Sequence, residues 1–269
     1  MNFSVLLSIY HKEKVSYFHT AMASIWDKQT IKPNEIVLVQ DGVLTAELYD
    51  AIHVWETKLG NTLKIISLNE NKGLGDALNI GLKNCSYELV ARMDTDDIAS
   101  PDRFEKQLHI FKNTQIDICS TWISEFDEDE NIILSYRKLP EFHQDLIGFS
   151  KKRNPINHPA VMYRKSIILH AGGYQKMMLF EDYYLWVRMF IAGATFYNIQ
   201  EVLVNMRAGD AQLERRTGFQ YGKKEIQFQK KLFDMGFINM YELFRNISIR
   251  FSTRVVPKRI VKYIYQSFR

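Results

Sequence analysis

Tyr87-Glu88-Leu89-Val90-Ala91-Arg92-Met93-Asp94-Thr95-Asp96-Asp97 is an apolar run that ends in three carboxylates within four residues. Its first part, Tyr87–Met93, reads as a buried strand. The same kind of run occurs upstream at Phe3–Ile9, Glu35–Val39 and Leu63–Leu68. Helical spacing fills the intervals at Tyr17–Trp26, Ala46–Lys58 and Gly73–Leu82. Strand and helix therefore alternate through the first hundred residues, which predicts βαβ units and a mostly parallel sheet. Ligands of such sheets sit at the carboxyl ends of the strands. Ser8–Glu13, Gln40–Gly42 and Asp94–Asp97 each follow a predicted strand, so they should converge in space although they are far apart in sequence.

Downstream, Pro101–Lys112 is a predicted helix, with Ser100 as its cap and Pro101 in its first turn. Ile116–Trp122 and Ile132–Tyr136 read as strands around the acidic turn Asp127-Glu128-Asp129-Glu130. Asn154–Arg164 is loop and strand, and Phe180–Ala192 is a helix opened by Glu181-Asp182. After Arg207 the pattern becomes helical and then basic, and a boundary is expected near residue 215.

The 269 residues, 46% hydrophobic and 25% charged, fit one α/β domain with an additional piece. Cys85 and Cys119 have neither metal-ligand nor redox spacing and are expected to be reduced, buried thiols. The N-terminus lacks a positive region before a long apolar stretch, and no apolar run approaches a membrane span of roughly 20 residues. A cytoplasmic protein is expected. Seven of the 35 Lys and Arg residues fall in Leu243–Arg269, which holds no acid, so residues 1–242 carry 28 bases against 31 acids. A basic tail on a mildly acidic body argues against a nucleic-acid partner and suits contact with an anionic membrane surface. The apolar residues interleaved in that tail fit an interfacial helix equally with a plain surface helix packed on the core, and Pro257 interrupts it.

Like charges as close as Asp94, Asp96 and Asp97 repel unless something positive joins them. Hard oxygen donors suit Mg²⁺ or Mn²⁺, which also bind phosphates. Charge alone would equally allow a solvated acidic turn, and position after a buried strand favours the metal. A calcium loop is a poor fit, because the glycine and final glutamate of that pattern are missing.

The stretch from Ala91 through Asp94-Thr95-Asp96-Asp97 to Ser100-Pro101-Asp102-Arg103-Phe104-Glu105-Lys106-Gln107 resembles the central motif of family 2 glycosyltransferases of the GT-A fold. It is similar in particular to bacterial enzymes that build O-antigen and exopolysaccharide repeat units. Ser4–Tyr10, Val37–Gly42, Asn71–Gly81, Asn157–Tyr163, Gly172–Tyr174 and Phe180–Arg188 match in the same order, so the resemblance covers roughly residues 1–215. It implies a Rossmann-like, mostly parallel sheet flanked by helices. Residues 1–100 would form the nucleotide-binding half, 101–215 the acceptor half and 216–269 a helical basic extension.

The resemblance also implies roles. Ser8 and Tyr10 would line the uracil pocket of a UDP-sugar donor, and Asp41 would accept from the base, although an Asp before Gly42 also suits a turn. Lys72 would lie near base or phosphates. Asp94 matches the nucleotide position and Asp96 the metal position, while Asp97 has no assigned share. Asp182 of Phe180-Glu181-Asp182-Tyr183-Tyr184-Leu185-Trp186 matches the usual catalytic base, with Glu181 as second choice. Acids there also favour a helix N-terminus. Arg207, Arg215 and Arg216 are placed either to close over the diphosphate or to stay in solvent. His158 is given no chemistry. The acceptor class implied is a sugar on a polyprenyl diphosphate. Two other readings are a sugar nucleotidyltransferase and a non-catalytic membrane-associated binding protein. The first wants a glycine-rich loop after the first strand, where Ser8–Glu13 has no glycine; the second would tolerate loss of Asp96 or Asp182, and both are present.

Overall fold

A computed structural model describes residues 1–208 and 218–255 of the chain, with side chains through Arg250. Strands β1 (Phe3–Ile9), β2 (Glu35–Gln40), β3 (Leu63–Ser67) and β4 (Leu89–Arg92) alternate with helices α1 (Val15–Ile25), α2 (Ala46–Leu59) and α3 (Leu74–Asn84). These four strands pair in parallel in the order β3-β2-β1-β4. All seven elements fall on the predicted runs, within a few residues at each end. Side chains of β1 alternate between two cores: Val5, Leu7 and Ile9 face α1 and α2, while Leu6 faces α3. Gly81 lets α3 lie close on the sheet, because a Cβ there would stand 2.7 Å from Val39 Cγ2 and would overlap Leu6 Cδ1.

The second half is mixed rather than parallel. It comprises β5 (Ile98–Ala99), α4 (Arg103–Asn113), β6 (Ile118–Phe126), β7 (Ile133–Arg137), α5 (His143–Ser150), β8 (Met162–Arg164), α6 (Lys165–His170), α7 (Glu181–Ile191) and β9 (Phe196–Arg207). The described residues form one nine-stranded sheet ordered β3-β2-β1-β4-β8-β6-β9-β5, with β7 on β6. β8 runs antiparallel to both β4 and β6, β7 to β6, and β5 to β9; only β6 and β9 are parallel. Antiparallel neighbours need no helical crossover, so strand–helix alternation does not announce them.

The predicted helix at Pro101 starts two residues later, at Arg103, and Ser100 does not cap it. Ser100 is drawn to the sheet instead, its amide donating to Leu203 O at 2.9 Å and its hydroxyl to Asp102 Oδ1 at 2.6 Å.

Helices α8 (Phe219–Asp234) and α9 (Met240–Val255) pack on α7 through Phe180, Tyr183, Phe228, Leu232 and Leu243. Asn246 Nδ2 donates to Lys151 O at 2.7 Å and Gln229 Oε1 at 2.9 Å, and Arg250 pairs with the buried Glu225 at 2.5 Å. This part of the basic tail is therefore docked on the domain, with Tyr241, Phe244 and Ile249 facing out. The rest of the tail, 256–269, lies outside the described residues, as do the expected boundary near 215 and Arg215 and Arg216. No described helix is long and apolar enough to cross a membrane. Cys85 and Cys119 are both free and buried.

Candidate active site

The ends of β1, β2 and β4 form the floor of one site, as their parallel register requires. Asp41 follows β2 and is 3% exposed. Its amide donates to Ile9 O at 2.8 Å, and its carboxylate accepts from the amides of Lys72 at 2.7 Å and Gly73 at 3.0 Å. Asn71 Nδ2 donates to Asp41 O at 3.2 Å. Gly42, at φ +88°, is required at this crossing, since a Cβ would stand 2.7 Å from Asn71 N. Asp41 thus braces the loop that opens α3. Tyr10 and Lys72 are exposed at the rim and Ser8 is partly buried.

The acidic run leaves β4 above two buried guanidiniums. Arg92, 1% exposed, pairs with Asp94 through both carboxylate oxygens, Nη1 to Oδ2 at 2.5 Å. Arg103 lies beneath, donating to Arg92 O at 2.7 Å and to Gln107 Oε1 at 3.1 Å; burial and the nearby Arg92 charge pull it down to about 9. Gln107 in turn donates to Cys119 O at 3.0 Å and Ala160 O at 2.9 Å. The Arg103 and Gln107 of the sequence motif are therefore a brace under the site, one turn apart on α4.

Thr95 Oγ1 donates to Glu13 Oε2 at 2.5 Å, tying the loop after β1 to the run. Burial raises Glu13, with Asp94 adding to the effect. Asp97 Oδ1 accepts from the Arg207 amide at 2.8 Å, and its Oδ2 is buried without a partner. The Asp96 side chain makes no hydrogen bond to another described residue. Burial and the charges of Asp94 and Glu13 push Asp96 up to about 7, and burial with Asp94 and Asp96 pushes Asp97 well above the carboxylate range. One oxygen each from Asp94, Asp96 and Asp97 lies within 4.8 Å of the others. An orphaned buried oxygen and repelling carboxylates with hard donors fit a divalent cation.

Asp182 sits on the first turn of α7. Its Oδ2 accepts from Asn154 Nδ2 at 2.7 Å and its Oδ1 from the Tyr183 amide at 2.7 Å. Burial raises the Tyr174 phenol; the Arg92 charge opposes this, and Asp182 and Asp94 add to it. The Tyr174 hydroxyl shares a 2.8 Å hydrogen bond with His158 Nε2. Burial and Arg92 hold His158 well below the imidazole range, so it is neutral and structural. Burial raises Glu181. Asn79 clamps the Tyr174 main chain from α3, accepting from its amide and donating to its carbonyl, both at 2.7 Å. The helix motif Asn71-x-Gly73 and Asn79-x-Gly81 thus works by holding two loops and one close contact.

Arg207, the last residue of β9, is half-buried, and its Nε donates to Asp96 O at 3.3 Å. It donates to Asp127 O at 2.6 Å and Glu128 O at 3.2 Å, and lies 3.6 Å over the Tyr17 ring and 4.5 Å over Phe126. It straps the acidic run to β6 and α1. Glu13, Arg92, Asn154 and Tyr174 were given no role from sequence. Glu13 was the most accessible to such reasoning, as the last residue of a segment already placed in the site.

Comparison with known proteins identifies the family and the fold. A family model described as Glycosyl transferase family 2 matches residues 4–169. Over 268 residues the chain is 38% identical to an Escherichia coli protein named UDP-Gal:alpha-D-GlcNAc-diphosphoundecaprenol beta-1,3-galactosyltransferase, covering 98% of this chain and 95% of that one. It is 37% identical to the amylovoran biosynthesis glycosyltransferase AmsE of Erwinia amylovora, covering 99% of each. In fold it is similar to S. aureus TarS 1-349, solved in complex with UDP-GlcNAc, with a TM-score of 0.65 at 16% identity over 86% of this chain and 66% of that one. The sheet and helices are those of a GT-A glycosyltransferase, and the chain belongs to glycosyl transferase family 2.

Proposed function

We propose that the chain transfers a hexose or N-acetylhexosamine from a UDP-sugar, with inversion, to a saccharide on a polyprenyl diphosphate during synthesis of bacterial surface polysaccharide. The observation that carries this is the carboxylate run at the end of β4, where one oxygen each of Asp94, Asp96 and Asp97 lies within 4.8 Å of the others and a buried Asp97 oxygen has no partner, as a divalent cation at the carboxyl end of a parallel strand would require. The names of the relatives at 38% and 37% identity support the donor and acceptor class.

Ser8, Tyr10, Asp41, Lys72 and Asp94 face the nucleotide. Asp41 keeps a lone pair on each oxygen for a base N–H beyond the two amides that it braces. Asp96, with Asp97 beside it, holds Mn²⁺ or Mg²⁺, and the ion when bound neutralises charge on the departing diphosphate. Arg207 acts on the site by holding the run in place. Asp182 takes the proton of the attacking hydroxyl as the new C–O bond forms at the anomeric carbon and the bond to the diphosphate breaks. Asn154 and the Tyr183 amide fix its orientation. Residues 1–100 supply the donor half, 101–215 the acceptor half, and the 243–269 tail holds the enzyme on the cytoplasmic face of the membrane.

A screen of UDP-sugars against a synthetic lipid-diphosphate GlcNAc or GalNAc acceptor, with the linkage read by NMR, tests this reading. One UDP-sugar should be consumed with inversion at the anomeric centre. Retention, or no transfer with any UDP-sugar, contradicts it.

A further inference from the structure

Helix α5 ends in the turn Ser150-Lys151-Lys152-Arg153-Asn154, whose carbonyls are held by side chains from three other elements. Ser150 O accepts from the Tyr183 hydroxyl of α7 at 2.5 Å. Lys151 O accepts from Asn246 Nδ2 of α9 at 2.7 Å. Lys152 O accepts twice from Arg250 of α9, from Nη2 at 2.6 Å and from Nε at 3.1 Å. Asn154 O accepts from Arg137 Nη2 of β7 at 2.7 Å. Carbonyls at and just past a helix end are readily satisfied by water. Here α7, α9 and β7 take them instead, and together they fix the path of the turn.

The α9 contacts are built from behind by α8. Asn246 is 4% exposed, and its Nδ2 also donates to Gln229 Oε1 at 2.9 Å. Arg250 pairs through Nη1 with the fully buried Glu225 at 2.5 Å. A buried ion pair adds little stability by itself, because both charges must be desolvated. It does orient the planar guanidinium, whose remaining nitrogens then meet Lys152 O. In this way α8 aligns the two α9 side chains, and these align the turn.

The turn ends on Asn154, whose Nδ2 donates to Asp182 Oδ2 at 2.7 Å. Asp182 Oδ1 accepts from the Tyr183 amide, and Tyr183 is the residue whose hydroxyl holds Ser150 O. The Tyr183 ring packs on Phe228 of α8, centroids 4.8 Å apart. Both oxygens of Asp182 are therefore held by groups that the turn and the helix pair keep in place. We propose that α8 and α9 position the Asp182 carboxylate, with Asn246 and Arg250 as positioning residues acting through the 150–154 turn and Asn154. The effect on turnover rests on the reading of Asp182 as the base; the placement of the carboxylate does not. A misplacement of about 1 Å at such a group can cost on the order of 10²-fold in rate.

The test uses the full chain with ¹³C at the aspartate carboxyls and needs no substrate. The Asp182 resonance is assigned by its loss in Asp182→Asn. Asn154→Ala removes the direct donor and should move this resonance, and Asn246→Ala should move it in the same direction. Arg250→Lys keeps a charge opposite Glu225 but replaces the fork by a single ammonium. It should give a smaller shift of the same sign, and it decides the matter if Asn246→Ala does not fold. A wild-type Asp182 resonance in the folded α9 variants overturns the proposal. With the donor and lipid-diphosphate acceptor of the screen above, kcat of Asn246→Ala should fall about tenfold or more while the KM for the donor stays within about twofold. That loss should vanish in an Asp182→Asn background. An equal loss with and without Asp182 also overturns the proposal. Normal turnover of Asp182→Asn overturns the base assignment instead, and the resonance still decides the placement.

Discussion

Arg92 grips Asp94 with both terminal nitrogens of a guanidinium that is almost wholly buried, two residues upstream of the acid it holds. Asp97 has the Arg207 amide, so Asp96 is the acid of the run left without a partner from another residue. Arg92→Ala should uncouple this arrangement. Removing one side of a buried pair costs about 3 kcal/mol, and a chain of this size should then melt roughly 6–12 °C lower. Differential scanning calorimetry checks this; an unchanged melting temperature would mean that the pair is not formed.

The raised carboxyls of the run give a signed pH dependence. Asp96 is pushed up to about 7 and Asp97 is raised well above the carboxylate range, so in metal-free protein they hold protons that an unfolded chain would release near pH 4. Stability of the metal-free protein should therefore fall as pH rises from about 4 through 7. A cation needs both acids ionised, so Mn²⁺ affinity should rise over the same interval, by up to about tenfold per pH unit for each proton displaced. Calorimetric titrations at pH 5.5, 6.5 and 7.5 read this directly, and affinity that is flat with pH contradicts it.

Asp182→Asn keeps the size of the side chain and removes its basicity. Turnover should drop about 10²- to 10⁴-fold, while the dissociation constant for UDP with Mn²⁺ stays within about twofold, because the proposed donor residues follow β1, β2 and β4 whereas Asp182 lies on α7. Stopped-flow turnover and fluorescence titration separate the two effects. Normal turnover would place the base elsewhere, with Glu181 next in line.

Gly81→Ala tests the close approach of α3. The added methyl meets Leu6 and Val39, both fully buried, and overpacking of this kind costs about 1–3 kcal/mol. Chemical denaturation should show the loss in midpoint with an unchanged slope. A neutral result would mean that α3 rides higher on the sheet.

The parallel half of the fold was legible because each strand there is a largely apolar run and each crossover is a helix. The other half was not. β5 is a two-residue strand, too short to carry a period, and β9 is set by pairing with β6 and β5, both 70 or more residues away. Placement was legible where a residue follows or opens a predicted element: Asp41 after β2, Asp96 after β4 and Asp182 on the first turn of α7. It was obscure where the side chain's partner is set by tertiary contact. Arg207 reads in sequence either as a diphosphate contact or as a solvated charge, and its stacking over Tyr17 and Phe126 arises only from tertiary contact. Glu13 reads as a loop acid until Thr95 is brought to it. Ser100 was taken for a cap because its pairing with Leu203 on β9 has no local signature.

The most direct test of the assignment of Asp96 to a catalytic cation is isothermal titration of UDP into the Asp96→Ala protein, with and without Mn²⁺, beside the wild type. The wild type should bind UDP far more tightly with Mn²⁺ than with chelator. Asp96→Ala should show no Mn²⁺-dependent gain and no sugar transfer, while melting at or above the wild-type temperature in the metal-free state because a repelling carboxylate is gone. Mn²⁺-dependent UDP binding that survives Asp96→Ala unchanged would contradict the assignment.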